Sequence, residues 1–470
     1  MRDMKPNLKI NLIMSMAYKV LTLFVPLITT PYLSRVLGAE GIGIYSYEYS
    51  IAYYFMLFIQ LGLENYGNRT IAEISGDENE RSRRFAEIFC VQGLNSIIFI
   101  AIYVGYVVLF SQNKLMGWIM LGFVISSALD ITWFYYGMEL ISATVIRNLI
   151  VKIITIVLIF TLVKTPNDLF VYALIMALGT LISQAYLWAM LYKNIHFCRI
   201  NFSEAKKHIK PLVILFIPVI AVSLYRVMDK IMLGSMASKI EVGYYESAER
   251  VVQLPIQVIN AFGIVMMPRI ANLLSVGKEG EARQYLNATM KLMMLLCAFM
   301  SFGIMGVAKE FVPLFYGEGY DKCVTLFYIL LPSSWFLAFS NVIRTQYLIP
   351  RKRDKLFTVS IFSGAIVNIV LNSILISKLG SSGAAIGTLC AEATVCIVQV
   401  IGVKKELPVY RYILICIVCL ATGFAMFVVV YNIHFNYSNI VSLILKVLIG
   451  IGIAVLPTFL ALKSIQKDLK

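Results

Sequence analysis

Charge is scarce in this 470-residue chain: Asp, Glu, Lys and Arg make up 14% of it, against about 25% in a typical soluble domain. A shortage on that scale excludes an ordinary water-soluble enzyme. Histidine is rarer still, with three residues far apart. Of the eight Cys, the one Cys-x-x-Cys pair, Cys416 and Cys419, lies in an apolar run with no second pair to complete a zinc site. Metal and redox chemistry are not expected, and no cofactor is implied. No connector between apolar runs exceeds roughly 20 residues, too few for a soluble catalytic domain. There is also no Gly-x-x-x-x-Gly-Lys-Ser/Thr phosphate loop, so intrinsic ATP hydrolysis is not expected either.

What is abundant is apolar sequence, 59% of the chain. A membrane-spanning helix needs about 20 such residues, and the runs between charged or turn-rich connectors predict fourteen spans. They lie near 10–33, 43–64, 85–111, 117–137, 146–163, 169–192, 211–235, 244–268, 286–308, 323–346, 357–377, 384–402, 411–431 and 439–462. The first follows a basic start, as a signal peptide would, but it is longer than 20 residues and has no small-x-small cleavage site. It reads as a retained helix. The net charge of +15 raises nucleic acid as a partner, yet the basic residues fall mostly in short connectors and not on the face of a soluble module. They report topology instead. With the N-terminus inside, the cytoplasmic segments hold 26 Lys and Arg and the outer connectors seven, a strong positive-inside asymmetry that puts both termini in the cytoplasm.

The chain also matches itself. At an offset of 200, Gly43-Ile-Tyr45 pairs with Gly243-Tyr-Tyr245, Arg69 with Arg269, and Arg83 with Arg283. Two six-helix halves follow, expected at 1–195 and 196–405, with helices 13 and 14 added over 406–470. Six is even, so both halves enter the membrane in the same direction and form a parallel pseudo-repeat. A cleft between two such lobes is the expected transport site. Chance similarity in low-diversity apolar sequence is the competing explanation.

Four stretches carry a family resemblance: PYLSRVLGAEGIGIYSYEYS (31–50), DITWFYYGMELISATVIRNLIVKI (130–153), VMDKIMLGSMASKIEVGYYESAERV (227–251) and the block from Ile349 to Glu392, with its paired Asn368 and Asn372 and its GAAIGT turn. Together they resemble Wzx-type polysaccharide repeat-unit (O-antigen/capsule) flippases of the multidrug/oligosaccharidyl-lipid/polysaccharide exporter superfamily. The resemblance implies an all-α polytopic membrane protein of fourteen transmembrane helices. It implies a substrate too, an undecaprenyl-pyrophosphate-linked oligosaccharide turned from the inner to the outer leaflet of the cytoplasmic membrane. Membrane lipids, a polysaccharide polymerase and a chain-length regulator are the other partners it suggests.

Charges within the spans mark candidate site residues, since each costs a few kcal/mol at the helix centre and usually faces a wet interior. Lys19 lies on a polar stripe of the first helix with Asn11, Ser15, Thr22, Pro26 and Thr29. In helix 7, Arg226, Asp229 and Lys230 share one face, and helix 8 answers with Glu246, Glu249 and Arg250. Arg226 and Arg250 each offer a bidentate fork to the phosphate oxygens of a pyrophosphate. For Lys230 and Glu246 an interfacial ion pair is the favoured account, and Arg250 could equally be the partner of Glu246 one turn earlier. Lys152 and Lys291 sit in the cytoplasmic third of their helices, as an entrance for the lipid pyrophosphate or as interfacial anchors. Asp130 and Glu392 have no basic residue three or four positions away in their own helices, which makes them candidates for proton or sodium coupling. The competing functions are export of organic cations, which favours an acidic aromatic cleft, and transport of a peptidoglycan lipid precursor. A glycosyltransferase or polymerase would need large outer loops with catalytic acids.

Overall fold

The computed structural model describes residues 8–468 except Ser75, Phe197 and Asn436; for residues 8–24, Ala143, Tyr225 and 466–468 it describes the backbone alone. The described residues are all-helical. They divide into two compact units, Met1–Ser223 and Leu224–Lys470. The first contains α1 (Leu8–Gln60), α2 (Leu63–Glu73), α3 (Glu78–Leu109), α4 (Lys114–Ala128), α5 (Thr132–Gly137), α6 (Ile141–Leu162), α7 (Leu169–Leu191), α8 (Phe202–Lys207) and most of α9 (Ile209–Arg226). The second contains α10 (Met228–Met236), α11 (Lys239–Ser275), α12 (Glu279–Tyr316), α13 (Lys322–Leu330), α14 (Ser333–Ile343), α15 (Asp354–Leu379), α16 (Ser381–Val403), α17 (Val409–Asn432) and α18 (Asn439–Asp468).

Twelve candidate spans among the described residues match the expected third to fourteenth. The first two are joined in α1, which continues across the expected outer connector with a kink. Their junction is Gly38, whose φ of 68° and ψ of 175° break the helix in a region that only glycine enters without strain. Fourteen spans result. Three of them are interrupted where the sequence predicts continuous helices. Span 4 breaks between α4 and α5, span 7 at Val227 between α9 and α10, and span 10 at Leu331-Pro332 and again in a π turn, Arg344–Leu348. Hydropathy is blind to such breaks because they change hydrogen bonding without changing apolarity.

The break in span 4 frees carbonyls inside a bilayer, where water cannot satisfy them. Side chains of neighbouring helices do so instead. The side-chain amide of Gln92 from α3 supplies the first partner: its Nε2 donates to the carbonyls of Ala128 at 3.2 Å and Asp130 at 2.9 Å. Trp188 Nε1 from α7 donates to Leu129 O at 2.8 Å. Gln92 is oriented in turn by Trp133 Nε1, which donates to its Oε1 at 3.2 Å.

Helix ends are capped by short polar side chains. Asp77 accepts from Asn79 and Glu80 N at the start of α3, and Asn113 from Met116 N at the start of α4. Glu406, between α16 and α17 and outside the spans, accepts from the Tyr347 hydroxyl and pairs with Arg353 at 2.7 Å. These contacts, the hydroxyl bond foremost, hold the Glu406 carboxyl below the usual carboxylate range.

With lipid outside, helices gain little from burying apolar surface against one another, and close packing over small residues replaces it. The hairpin of α15 and α16 turns at Gly380, φ 58°, and closes over Gly383, where an added Cβ would lie 2.5 Å from the Leu375 carbonyl oxygen. Gly383→Ala should therefore lower stability by about 1–3 kcal/mol, the usual cost of overpacking. Gly105→Ala, at a helical site with nothing within 4 Å of the new methyl, should not. Thermal unfolding of the detergent-purified variants checks the pair.

Candidate functional site

The break at Val227 ends α9 on Arg226 and starts α10 on Met228, so Asp229 falls in a first turn whose N–H groups lack helical partners. Its carboxylate is 1% exposed and collects donors from three other helices. Oδ2 accepts from the Tyr245 hydroxyl of α11 at 2.8 Å and from Thr388 Oγ1 of α16 at 2.6 Å; Oδ1 accepts from Asn372 Nδ2 of α15 at 2.6 Å. Asn372 Nδ2 also reaches Asn368 Oδ1 at 3.3 Å. Gly387 makes room for this knot, since a Cβ there would lie 2.0 Å from Asn372 Oδ1.

Tyr245 and Thr388 also line a pocket of about 40 Å3 together with Arg226, Glu249, Gln253 and Glu392. That is room for one or two waters or an ion, not a sugar. Glu392 of α16 is 7% exposed. It is isolated along its own helix but not in space, because Arg226 and Arg344 both act on its charge. Glu249 connects the pocket to an ionic network. Lys230 Nζ lies 2.6 Å from Glu246 Oε2 and 2.9 Å from Glu249 Oε2, and Arg250 Nε donates to Glu246 Oε1 at 2.9 Å.

Arg226, Asp229, Arg250 and Glu392 are thus brought together in the second unit. The other expected site residues are placed elsewhere. Asp130 Oδ1 accepts from Thr132 N at 2.8 Å, across the break in span 4. Lys152 is half-buried in α6, and Lys291 of α12 donates to Ser464 Oγ of α18 at 3.2 Å. The side chain of Lys19 lies outside the described residues. Sequence reasoning passed over Tyr245, Thr388 and Arg344. The spacing of Asn368 and Asn372, one turn apart within an apolar helix, was the signal pointing to this part of the molecule.

The family described as "Polysaccharide biosynthesis protein" matches residues 8–274, more than half of the chain. The chain belongs to that family. A second description, "MatE", matches residues 215–374. Among the relatives of the chain, the "Putative O-antigen transporter" of Escherichia coli (strain K12) is 22% identical over 411 residues, covering 86% of this chain and 99% of the relative. The protein of the same name from Shigella dysenteriae is 23% identical over 390 residues, covering 81% and 96%. The solved structure titled "Lipid II flippase MurJ, inward closed conformation" aligns with a TM-score of 0.72 at 15% identity, covering 95% of this chain and 97% of that one. The fold is therefore shared with that structure, and the family model and the O-antigen transporters support the resemblance to Wzx-type flippases of the exporter superfamily over most of the chain.

The ionic network makes a prediction of its own. Glu246 balances both Lys230 and Arg250, and its side chain is 14% exposed. Glu246→Gln removes the carboxylate that Lys230 and Arg250 share, leaving Lys230 with Glu249, and should cost about 3–5 kcal/mol. Arg250→Gln should cost less, because Lys230 still neutralises Glu246. Thermal unfolding in detergent compares the two, and equal losses would count against Glu246 as the hub.

Proposed function

We propose that the chain turns undecaprenyl-pyrophosphate-linked oligosaccharide repeat units from the inner to the outer leaflet of the cytoplasmic membrane by alternating access, for polysaccharide biosynthesis. The coarser reading, a multi-pass transporter of polysaccharide precursors, is what family membership and the O-antigen transporters support. The single observation that carries it is the match to 99% of the Escherichia coli relative. The proposal includes both termini in the cytoplasm, and two six-helix lobes, 1–195 and 196–405, followed by helices 13 and 14.

Arg226 has the role of phosphate ligand in this reading. It stands at a helix end, exposed, and a guanidinium keeps its charge in any environment while matching phosphate oxygens two at a time. Glu392 has the role of coupling acid. The pocket beside it has room for an ion, so an ion there and a phosphate on Arg226 would each act on the same side chain. The match to "MatE" over residues 215–374 favours a second reading, export of organic cations.

Flipping of a fluorescent undecaprenyl-pyrophosphoryl oligosaccharide in vesicles of purified protein tests the proposal. Arg226→Ala should slow it by about ten-fold or more and Arg226→Lys by less, as expected for loss of a charged partner against loss of the fork alone. Glu392→Gln should remove any dependence on imposed proton or sodium gradients. Transport of a lipophilic cation without transport of the lipid-linked sugar would establish the second reading. For topology, Cys198 is exposed; kept as the sole cysteine it should be shielded from an impermeant maleimide in sealed cells, whereas a sole cysteine at Asn113 should react.

A further inference from the structure

A cavity of about 780 Å3 lies in the first unit, where α2, the start of α3 and the start of α9 meet. It is at the end of the unit opposite Asn113 along α3 and belongs to none of the chemistry described above. Its polar wall carries Arg69, Arg84 and Lys210 with Glu73 and Glu80. Arg69 is held by Glu73 at 3.1 Å, and Arg84 lies 3.7 Å from Glu80 and 3.3 Å from Glu87. Lys210 is exposed and has no acidic partner among the described residues. Three cations therefore face two carboxylates on the wall, and the unmatched positive charge is on Lys210.

The back of the cavity is built from buried groups. His208, 4% exposed, stands between the Tyr66 hydroxyl, 2.5 Å from Nδ1, and Glu87 Oε2, 3.4 Å from Nε2. Glu87 is fully buried and is bonded by Arg83 at 2.9 Å. These contacts tie α2 and α3 to His208, the residue immediately before α9. The side formed by α9 is apolar, with Pro211, Ile214 and Leu215. Lys210 and Ile214 are four apart and share a helix face, and Ile214 is 55% exposed on a helix long and apolar enough to cross the membrane. One turn of α9 thus leads from a free cation to a surface made for hydrocarbon.

We propose that this cavity binds the headgroup of a glycerophospholipid from the adjoining leaflet, with its phosphodiester on Lys210, flanked by Arg69 and Arg84, and an acyl chain along Ile214 and Leu215. Basic pockets between membrane helices hold anionic headgroups in this way. One unmatched positive charge suits a lipid carrying one negative charge. A pyrophosphate would bring more negative charge against Glu73 and Glu80. The site is thus distinct from substrate binding and stands whether or not the chain flips a lipid-linked sugar.

Native mass spectrometry of the full-length protein in detergent tests this with three probes: phosphatidylglycerol, phosphatidylcholine and undecaprenyl pyrophosphate. One phosphatidylglycerol should be retained in preference to phosphatidylcholine. Lys210→Ala should weaken it about five-fold, the effect of one cation near a charged lipid surface, and Lys210→Glu should abolish the preference. Because Lys210 is exposed and unpaired, both variants should melt at the wild-type temperature. Unchanged phosphatidylglycerol binding in Lys210→Glu would overturn the proposal. So would displacement of phosphatidylglycerol by equimolar undecaprenyl pyrophosphate in a Lys210-dependent manner, which would place the cavity on the substrate path. Binding is read without transport, so a failure of the flipping assay leaves these outcomes interpretable.

Discussion

Inside a bilayer every polar group must find its partner within the protein, and the rest of this structure follows from that requirement. A helix satisfies its own backbone, so an unbroken span needs no help. A broken one does. The break in span 4 survives because Gln92 and Trp188 supply donors to the carbonyls of Ala128, Leu129 and Asp130. The break in span 7 places Asp229 where Tyr245, Thr388 and Asn372 can donate to it. Both interruptions are therefore sites where helices become locked together by side chains. The same requirement that makes polar residues costly in lipid makes them the fixed points of the fold.

That requirement also separates two kinds of intramembrane charge. Lys230, Glu246, Glu249 and Arg250 neutralise one another at 2.6–2.9 Å, and a closed network of this sort has little attraction left for a ligand. Arg226 and Glu392 differ. They face a pocket, and the acid is acted on by two arginines, Arg226 and Arg344. In the proposed reading, a phosphate on either arginine would change how strongly Glu392 holds a cation, and by linkage an ion at Glu392 would change how strongly Arg226 holds the phosphate. Coupling between substrate and ion requires no more than such a shared partner.

The sequence made the fourteen spans legible because apolar length is a property of composition, and composition survives any detail of packing. It did not reveal where spans break. Leu129 adjoins Asp130 and Val227 lies between Arg226 and Asp229, charges that the sequence offers as site residues and not as break points, and only Pro332 marks its break with a residue lacking an N–H. The candidate site was legible to the same degree. Arg226, Asp229, Arg250 and Glu392 stand out as charges in apolar helices, and the structure gathers all four. Their partners come from helices far away in sequence, so spacing within one helix could not separate Arg250, bonded to Glu246, from Arg226, or show that Glu392 has arginine neighbours. Tyr245 and Thr388 fall within the stretches that carry the repeat and the family resemblance, but a Tyr or Thr in a membrane helix is ordinary and nothing marked either as a site residue.

The two halves repeat this logic at the level of single hydrogen bonds. Span 4 breaks beside Trp133 and span 10 beside Trp335, close to the offset of 200 at which the halves align. In the first half Trp133 Nε1 donates to Gln92 Oε1 on span 3; in the second Trp335 Nε1 donates to Ser301 Oγ at 2.5 Å on span 9, the equivalent helix. What frees and satisfies the backbone differs. The first half uses the amide of Gln92, whereas the second uses Pro332, with Ser333 Oγ donating to Leu330 O and Ser334 Oγ to Leu331 O, both at 2.6 Å. Few residues are shared at these positions, yet a broken fourth helix tied by an indole to the third is kept in both copies. The two spans thus share where the backbone must be satisfied and not which side chains satisfy it, and many side chains can do that, so little of such a likeness would be visible in the letters.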